Sequence, residues 1–180
     1  MPILRIKNED ENSPHFLTLV VLDHVEVFIK DQYFDVIIRC LRYCRDHLGL
    51  LLFEFVTMKD HLHLILGAKP NYSLSEILGS FKKFTTKEIL KLLRENDFPL
   101  YCQVISSKKI KQINDAQFWR QGNWPKLIVN QGFLAQKINY IHDNPVRKGY
   151  VIKQEDWKYS SARNRILGDN SLIEVDNYDF

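Results

Sequence analysis

The sequence predicts an α+β fold in one main domain, and three observations lead there. Apolar runs of strand length alternate with helix-length segments in the order strand, helix, strand, strand, helix, strand. The helix-length segments repeat apolar residues every three to four positions. Glycine and proline number only 7 and 6 in 180 residues, so no obvious linker divides the chain. That order predicts a ferredoxin-like (RRM-like) antiparallel sheet with helices packed on it, and one sheet face open for a site. A further helix bearing Tyr140 and a tail follow.

Each element has its own signals. Phe16 to Val27 is rich in Leu, Val and Phe and reads as a strand. Asp31 caps a helix whose buried stripe is Phe34, Ile37, Leu41, Cys44 and Leu48, with Gly49 as the stop. Leu50 to Met58 is a second strand, Lys59–Asp60 a tight connection, and His61 to Leu66 a third strand. Ser73 and Glu76 form a capping-box pattern. They open a helix to about Glu95 with Leu74, Ile77, Leu78, Phe81 and Phe84 on one side. Phe98 to Asn130 is expected to hold one or two short strands and an aromatic, basic loop. Phe133 to about Asp143 is a third helix, because Asn144 precedes Pro145 and residues before proline avoid the helical region. The expected organisation is a catalytic domain over 1–150 and a tail over 151–180, packed on that domain or extending from it.

Composition narrows the function classes. With 45% hydrophobic and 26% charged residues the chain is globular in type. A net charge of +3 does not by itself imply nucleic acid; clustering of the positive residues matters more. Three cysteines, two of them four apart at Cys40 and Cys44, suggest a buried helix face rather than a disulfide framework. No stretch has the roughly 18 apolar residues of a membrane span. The N-terminal residues carry acids and do not read as a signal peptide. A soluble, cytoplasmic protein, nucleoid-associated when bound to DNA, is the expectation.

Two constellations carry chemistry. In HLHLIL, strand alternation puts His61 and His63 on one face and Leu62, Leu64 and Leu66 on the other. Two imidazoles roughly 6–7 Å apart at their bases can converge on one divalent cation. Two half-buried sheet histidines are the plainer reading of the same pattern. In INYIHDNPVRKG, Tyr140 and Asn144 are four apart and share a helix face with Lys137. Taken alone, Tyr140 reads more plainly as a tyrosine at the edge of the core. Lys82, Lys83, Lys87, Lys108, Lys109, Lys111, Arg147 and Lys148 can meet phosphates, or simply be solvated. Trp119 and Trp124 can stack on unpaired bases, or fill the core.

Taken together, HLHLIL at 61–66, SLSEILGSFKKFTTKEI at 73–89, FWRQGNW at 118–124, YIHDNPVRKG at 140–149 and DWKYSSAR at 156–163 resemble the IS200-like single-tyrosine (HUH) transposases. Within that superfamily they look most like the REP-associated tyrosine transposases. The resemblance spans about Phe16 to Arg163. It implies a single-strand DNA endonuclease and strand transferase that cuts beside a hairpin, joins its tyrosine to the 5′ end and leaves a free 3′-OH. By position, Tyr140 matches the nucleophile, His61 and His63 the metal histidines, and Asn144 a third polar ligand. Mg²⁺ or Mn²⁺ is the implied cofactor. Single-stranded DNA with a hairpin is the implied partner, and both single-chain and homodimeric arrangements occur among relatives. The stretch Trp124–Pro125–Lys126 departs from the family, where an acidic residue or histidine often follows the aromatic. Lys137 and the phosphate-facing residues Lys82, Lys83, Lys87, Trp119, Trp124, Arg147 and Lys148 complete the expected DNA surface.

A non-catalytic hairpin DNA- or RNA-binding protein on the same fold is the alternative. An RNA-binding sheet is expected to expose aromatics on its central strands, where this chain has histidines. A small zinc hydrolase would need another ligand motif, and HExxH is absent from the sequence.

Overall fold

The central sheet has four antiparallel strands in the order β2–β3–β1–β4. In the computed structural model, which describes residues 13–106, 117–122 and 125–178, β1 is His15–Val20, β2 Leu50–Thr57, β3 His61–Ala68 and β4 Lys126–Leu127. Helix α1 (Asp31–His47) connects β1 to β2, and α2 (Leu74–Asn96) with α3 (Phe98–Ile105) connects β3 to β4. Helix α4 (Gln131–Arg147) follows. This is the ferredoxin-like arrangement that the order of elements predicts.

Alternation sorts the strand residues between two cores. Leu17, Leu19, Leu52, Phe55, Leu62, Leu64 and Leu66 pack with α1 and α2 in the larger one. Phe16, Phe53, Val56 and Ile65 face the other way and meet Leu134 and Ile141 of α4 in the smaller one. The second face is therefore partly covered, by the helix that carries Tyr140. Between Leu52 and Glu54 the β2–β3 register shifts. The irregularity lets Phe53 and Glu54 both serve the α4 side.

The residues from 157 onward close the β2 edge. Thr57 N–H donates to Tyr159 O, Ser161 N–H to Phe55 O and Asp176 N–H to Leu52 O. Trp157 Nε1 donates to the Thr57 carbonyl at 2.9 Å. The Tyr159 ring stacks on Phe34 with centroids 4.0 Å apart. An edge strand thus finds partners for groups that would otherwise be open to pairing with another chain.

Four local expectations are corrected. The first strand ends at Val20 rather than running to Val27, because Asp23 (φ 55°) and His24 (φ 56°) take left-handed backbone in a 3₁₀ turn over Leu22–His24. The N-cap of α1 is Lys30, and Asp31 is the first helical residue. The span after Asp97 opens with a helix, α3, which Asp97 caps by accepting from Leu100 N–H and whose first turn holds Pro99. Helix α4 continues through Pro145 to Arg147 instead of stopping at Asp143. The proline costs one backbone hydrogen bond near the end of the helix, where Asn144 O still accepts from Lys148 N–H at 3.1 Å.

Trp119 is corrected as well. It is only 4% exposed, stacks on Phe28 (centroids 6.1 Å) and donates its indole N–H to Thr85 Oγ1 at 3.0 Å. A ring held that way is core and offers no face to a nucleic-acid base. Trp119→Ala is expected to cost roughly 3–5 kcal/mol of stability by leaving a cavity and removing the indole N–H from Thr85 Oγ1. Urea unfolding of the variant checks it, and a loss below about 1 kcal/mol would contradict this packing.

Candidate active site at the sheet and tyrosine helix

The register of the sheet builds the first half of the site. On β3, His61 stands opposite Val20 and His63 opposite Thr18 of β1, with Val56 of β2 on the other side of His63. The pairing brings Thr18 Oγ1 within 2.8 Å of His63 Nδ1. His61 Nδ1 lies 2.6 Å from Asp60 Oδ1, and the other oxygen of the same carboxylate lies 2.8 Å from His24 Nδ1. Burial pushes the Asp60 carboxyl up, but the hydrogen bonds from His24 and His61 outweigh it and hold it below its usual range. The two histidine rings, 4.7 Å apart and steeply inclined, share one face as alternation requires.

The second half comes from α4. Asn130 caps the helix by accepting from Phe133 N–H at 2.8 Å. Tyr140 meets His63 edge-on at 4.9 Å between centroids and Phe16 at 6.1 Å. Lys137, one turn before, holds its Nζ 4.7 Å from the Phe16 ring centre and 5.6 Å from that of Tyr140. Arg147 lies 5.8 Å from the Tyr140 ring. Because α4 continues to Arg147, Asn144 stays one turn beyond Tyr140 on the same side, and it is buried.

The donor chemistry suits a metal. A carboxylate only accepts, so His61 Nδ1 carries the proton toward Asp60 and a neutral ring leaves its Nε2 lone pair free. His63 is 4% exposed, and its Nε2 has no hydrogen-bond partner among the described residues. Burial, then the neighbouring His61 and Lys137 charges, push the His63 imidazole down to about 3. It is therefore neutral at physiological pH, the form in which histidine ligates metals. An orphaned buried nitrogen beside a second imidazole is a fit for a divalent cation. Among the described residues no cluster of three or more His, Cys, Asp or Glu surrounds a common ion position. Two imidazoles, with Asn144 as an amide donor, would leave positions for phosphate oxygens.

Not every expected residue joins this cluster. Lys148 is exposed just past α4, close in sequence to Arg147. Lys82, Lys83 and Lys87 ride on α2, which packs on the opposite face of the sheet from α4. Lys83 and Lys87 are exposed, and burial lowers the Lys82 ammonium. Trp124, Lys108, Lys109 and Lys111 lie outside the described residues. The sequence reading passed over Asp60, Thr18, His24, Glu54 and His142. A carboxylate directly before the first histidine, and a lone glutamate inside the apolar run LLLFEFV, were signals for two of them.

The sheet thus presents paired imidazoles to the tyrosine of α4 on one face. Comparison with known proteins defines the class: the family model "Transposase IS200 like" matches residues 15–104, half of the chain. This chain belongs to the IS200-like transposase family. It is 25% identical over 147 residues to a Haemophilus influenzae protein that carries the name of a REP-associated tyrosine transposase, covering 82% of this chain and 78% of that one. A solved structure of a REP-associated tyrosine transposase bound to a REP hairpin shares the fold, with a TM-score of 0.61 and 20% identity over 94% of this chain and 90% of the other. No helix among the described residues is long and apolar enough to cross a membrane.

Asp60→Asn is expected to weaken Mn²⁺ binding roughly 10–100-fold, because the amide no longer holds the His61 ring as a carboxylate does. Titration followed by the loss of the free Mn²⁺ paramagnetic signal checks this. Unchanged affinity would contradict the role given to the carboxylate.

Proposed function

We propose that this transposase is a divalent-metal-dependent single-strand DNA endonuclease and strand transferase, in which Tyr140 forms a 5′-phosphotyrosine beside a DNA hairpin. The observation that carries the reading is the approach of Tyr140 to His63, whose buried Nε2 is unpartnered. Family membership supports a transposase. The hairpin bound by the structurally similar protein supports a hairpin partner here.

In this reading Tyr140 Oη attacks the phosphorus and gives up its proton. The Tyr–O–P bond forms, the P–O3′ bond breaks, and the departing 3′ oxygen takes a proton to become a hydroxyl. One ester replaces another, so the reverse step rejoins DNA without a nucleotide cofactor. A phenol has an ordinary pKa of about 10, so the phenolate needs help at neutral pH. Lys137 Nζ lies 5.6 Å from the Tyr140 ring centre and would meet the same phosphate. His61, His63 and Asn144 would hold Mg²⁺ or Mn²⁺, which when bound would offset the charge that builds on the phosphate oxygens. Asp60 and Thr18 orient the two imidazoles through their Nδ1 atoms.

Arg147 and Lys148 extend the positive surface along the end of α4 and would meet the DNA backbone near the cut. Lys82, Lys83 and Lys87 would meet a more distant part of a folded strand, since they lie in the other helical layer. The chain would act either singly or as a homodimer.

Tyr140→Phe is expected to abolish the covalent DNA adduct while hairpin affinity stays within about twofold, because only the hydroxyl is lost and the ring still packs on Phe16. His61→Ala and His63→Ala should lose cleavage through lost metal binding. Denaturing electrophoresis with labelled single-stranded hairpin DNA and Mn²⁺ checks both. An adduct formed by the Phe variant, or full cleavage in excess EDTA, would refute the assignment.

A further inference from the structure

Glu54 is a charged side chain in the middle of the edge strand β2, and it is 1% exposed. Three donors from two other parts of the chain satisfy it. His142 Nε2 lies 2.8 Å from Oε2, Ser161 Oγ donates to the same oxygen at 2.5 Å, and Arg165 Nε donates to Oε1 at 2.8 Å. Since a carboxylate only accepts, the His142 Nε2–H is the donor. Ser161 is itself pinned, its Oγ accepting from Phe55 N–H at 3.0 Å. Arg165 also reaches the Phe53 and Asp176 carbonyls. The carboxylate is therefore a rigid point on β2.

His142 sits two residues after Tyr140, so the two side chains leave α4 in nearly opposite directions, about 200° apart. Tyr140 reaches over β1 and β3, where Phe16 and His63 lie, while His142 reaches β2. Between them Ile141 supplies apolar contact. Apolar contact resists lifting of the helix but is tolerant of rotation about its axis. A directional hydrogen bond to a fixed carboxylate is not. The next residue adds a second polar tie, as Gln154 donates to Asp143.

We propose that His142 is a positioning residue for Tyr140: its hydrogen bond to Glu54 sets the roll of α4 and hence the place of the phenol oxygen. The inference rests on the reading of Tyr140 as the nucleophile. A tyrosine hydroxyl stands roughly 9 Å from its helix axis, so a roll of about 10° displaces it by about 1.5 Å. Misplacement of about 1 Å can cost on the order of 100-fold in rate.

The test compares His142→Leu, His142→Asn and His142→Gln with the wild type. Glutamine places an amide N–H near the position of the imidazole Nε2–H, whereas asparagine is too short to reach Glu54. The substrate is a single-stranded DNA hairpin to which the wild type joins, drawn from hairpins with randomised flanks, with Mn²⁺ present. Single-turnover adduct formation is measured against DNA concentration, together with the melting temperature. The Leu and Asn variants are expected to lose at least about tenfold in maximal rate, with the half-saturating DNA concentration within about twofold of wild type. The Gln variant should recover to within about threefold of wild type. Should Leu fail to fold, the Asn–Gln pair makes the same comparison between two polar residues. Wild-type rates in Asn, or a Gln variant as slow as Asn, would overturn the positioning role. A wild type that joins to none of the hairpins would instead overturn the functional reading, and the inference with it.

Discussion

A buried carboxylate sets the terms for much of this molecule. Glu54, buried on the edge strand β2, cannot be left unpaired, since an isolated buried charge costs several kcal/mol. Its partners come from α4 and from the residues beyond it, so satisfying one charge organises two separate parts of the chain. The bidentate Arg45–Asp176 pair ties the end of the chain to α1, with Asp176 also accepting from Leu52 N–H. Residues after 150 are thus part of the framework that seats the tyrosine helix. Trp157 and Tyr159 are in that framework too, as polar and stacking ties to β2 and α1.

The site divides its work between a stiff half and a mounted half. The histidines belong to a central strand, hydrogen-bonded on both sides, where register leaves little freedom. Their Nδ1 atoms are engaged by Thr18 and Asp60, which leaves the Nε2 atoms as the ones available to a ligand. Tyr140 comes from a helix laid on the sheet, and its place depends on packing and on polar ties. Such a division lets the paired imidazoles stay fixed while Tyr140 is aimed by a separate element.

Much of this was legible in the sequence because it follows from period. The alternation of HLHLIL sets His61 and His63 against Leu62 and Leu64 whatever the neighbouring strands do. The four-residue step from Tyr140 to Asn144 likewise follows from helical pitch. Other features depended on tertiary context. Trp119 and Trp124 look alike as aromatic residues in a polar loop, and only the contacts with Phe28 and Thr85 reveal Trp119 as core. Pro145 signalled an end to the helix, but a proline in the last turn forfeits one backbone bond and the helix continues. Val21 to Val27 is apolar enough for a strand, yet two left-handed residues turn it toward Asp60. The pairing of Glu54 with His142 joins residues 88 positions apart, beyond the reach of any local pattern.

The central claim is that the hydroxyl of Tyr140 becomes the point of attachment to DNA. Mass spectrometry of the protease-digested covalent complex, formed by the wild type with single-stranded hairpin DNA and Mn²⁺, tests it most directly. The account predicts a nucleotide phosphate carried on Tyr140, with the partner DNA fragment ending in a free 3′-OH. A phosphate adduct on any other residue, or cleavage that leaves no protein-linked DNA at all, would contradict it.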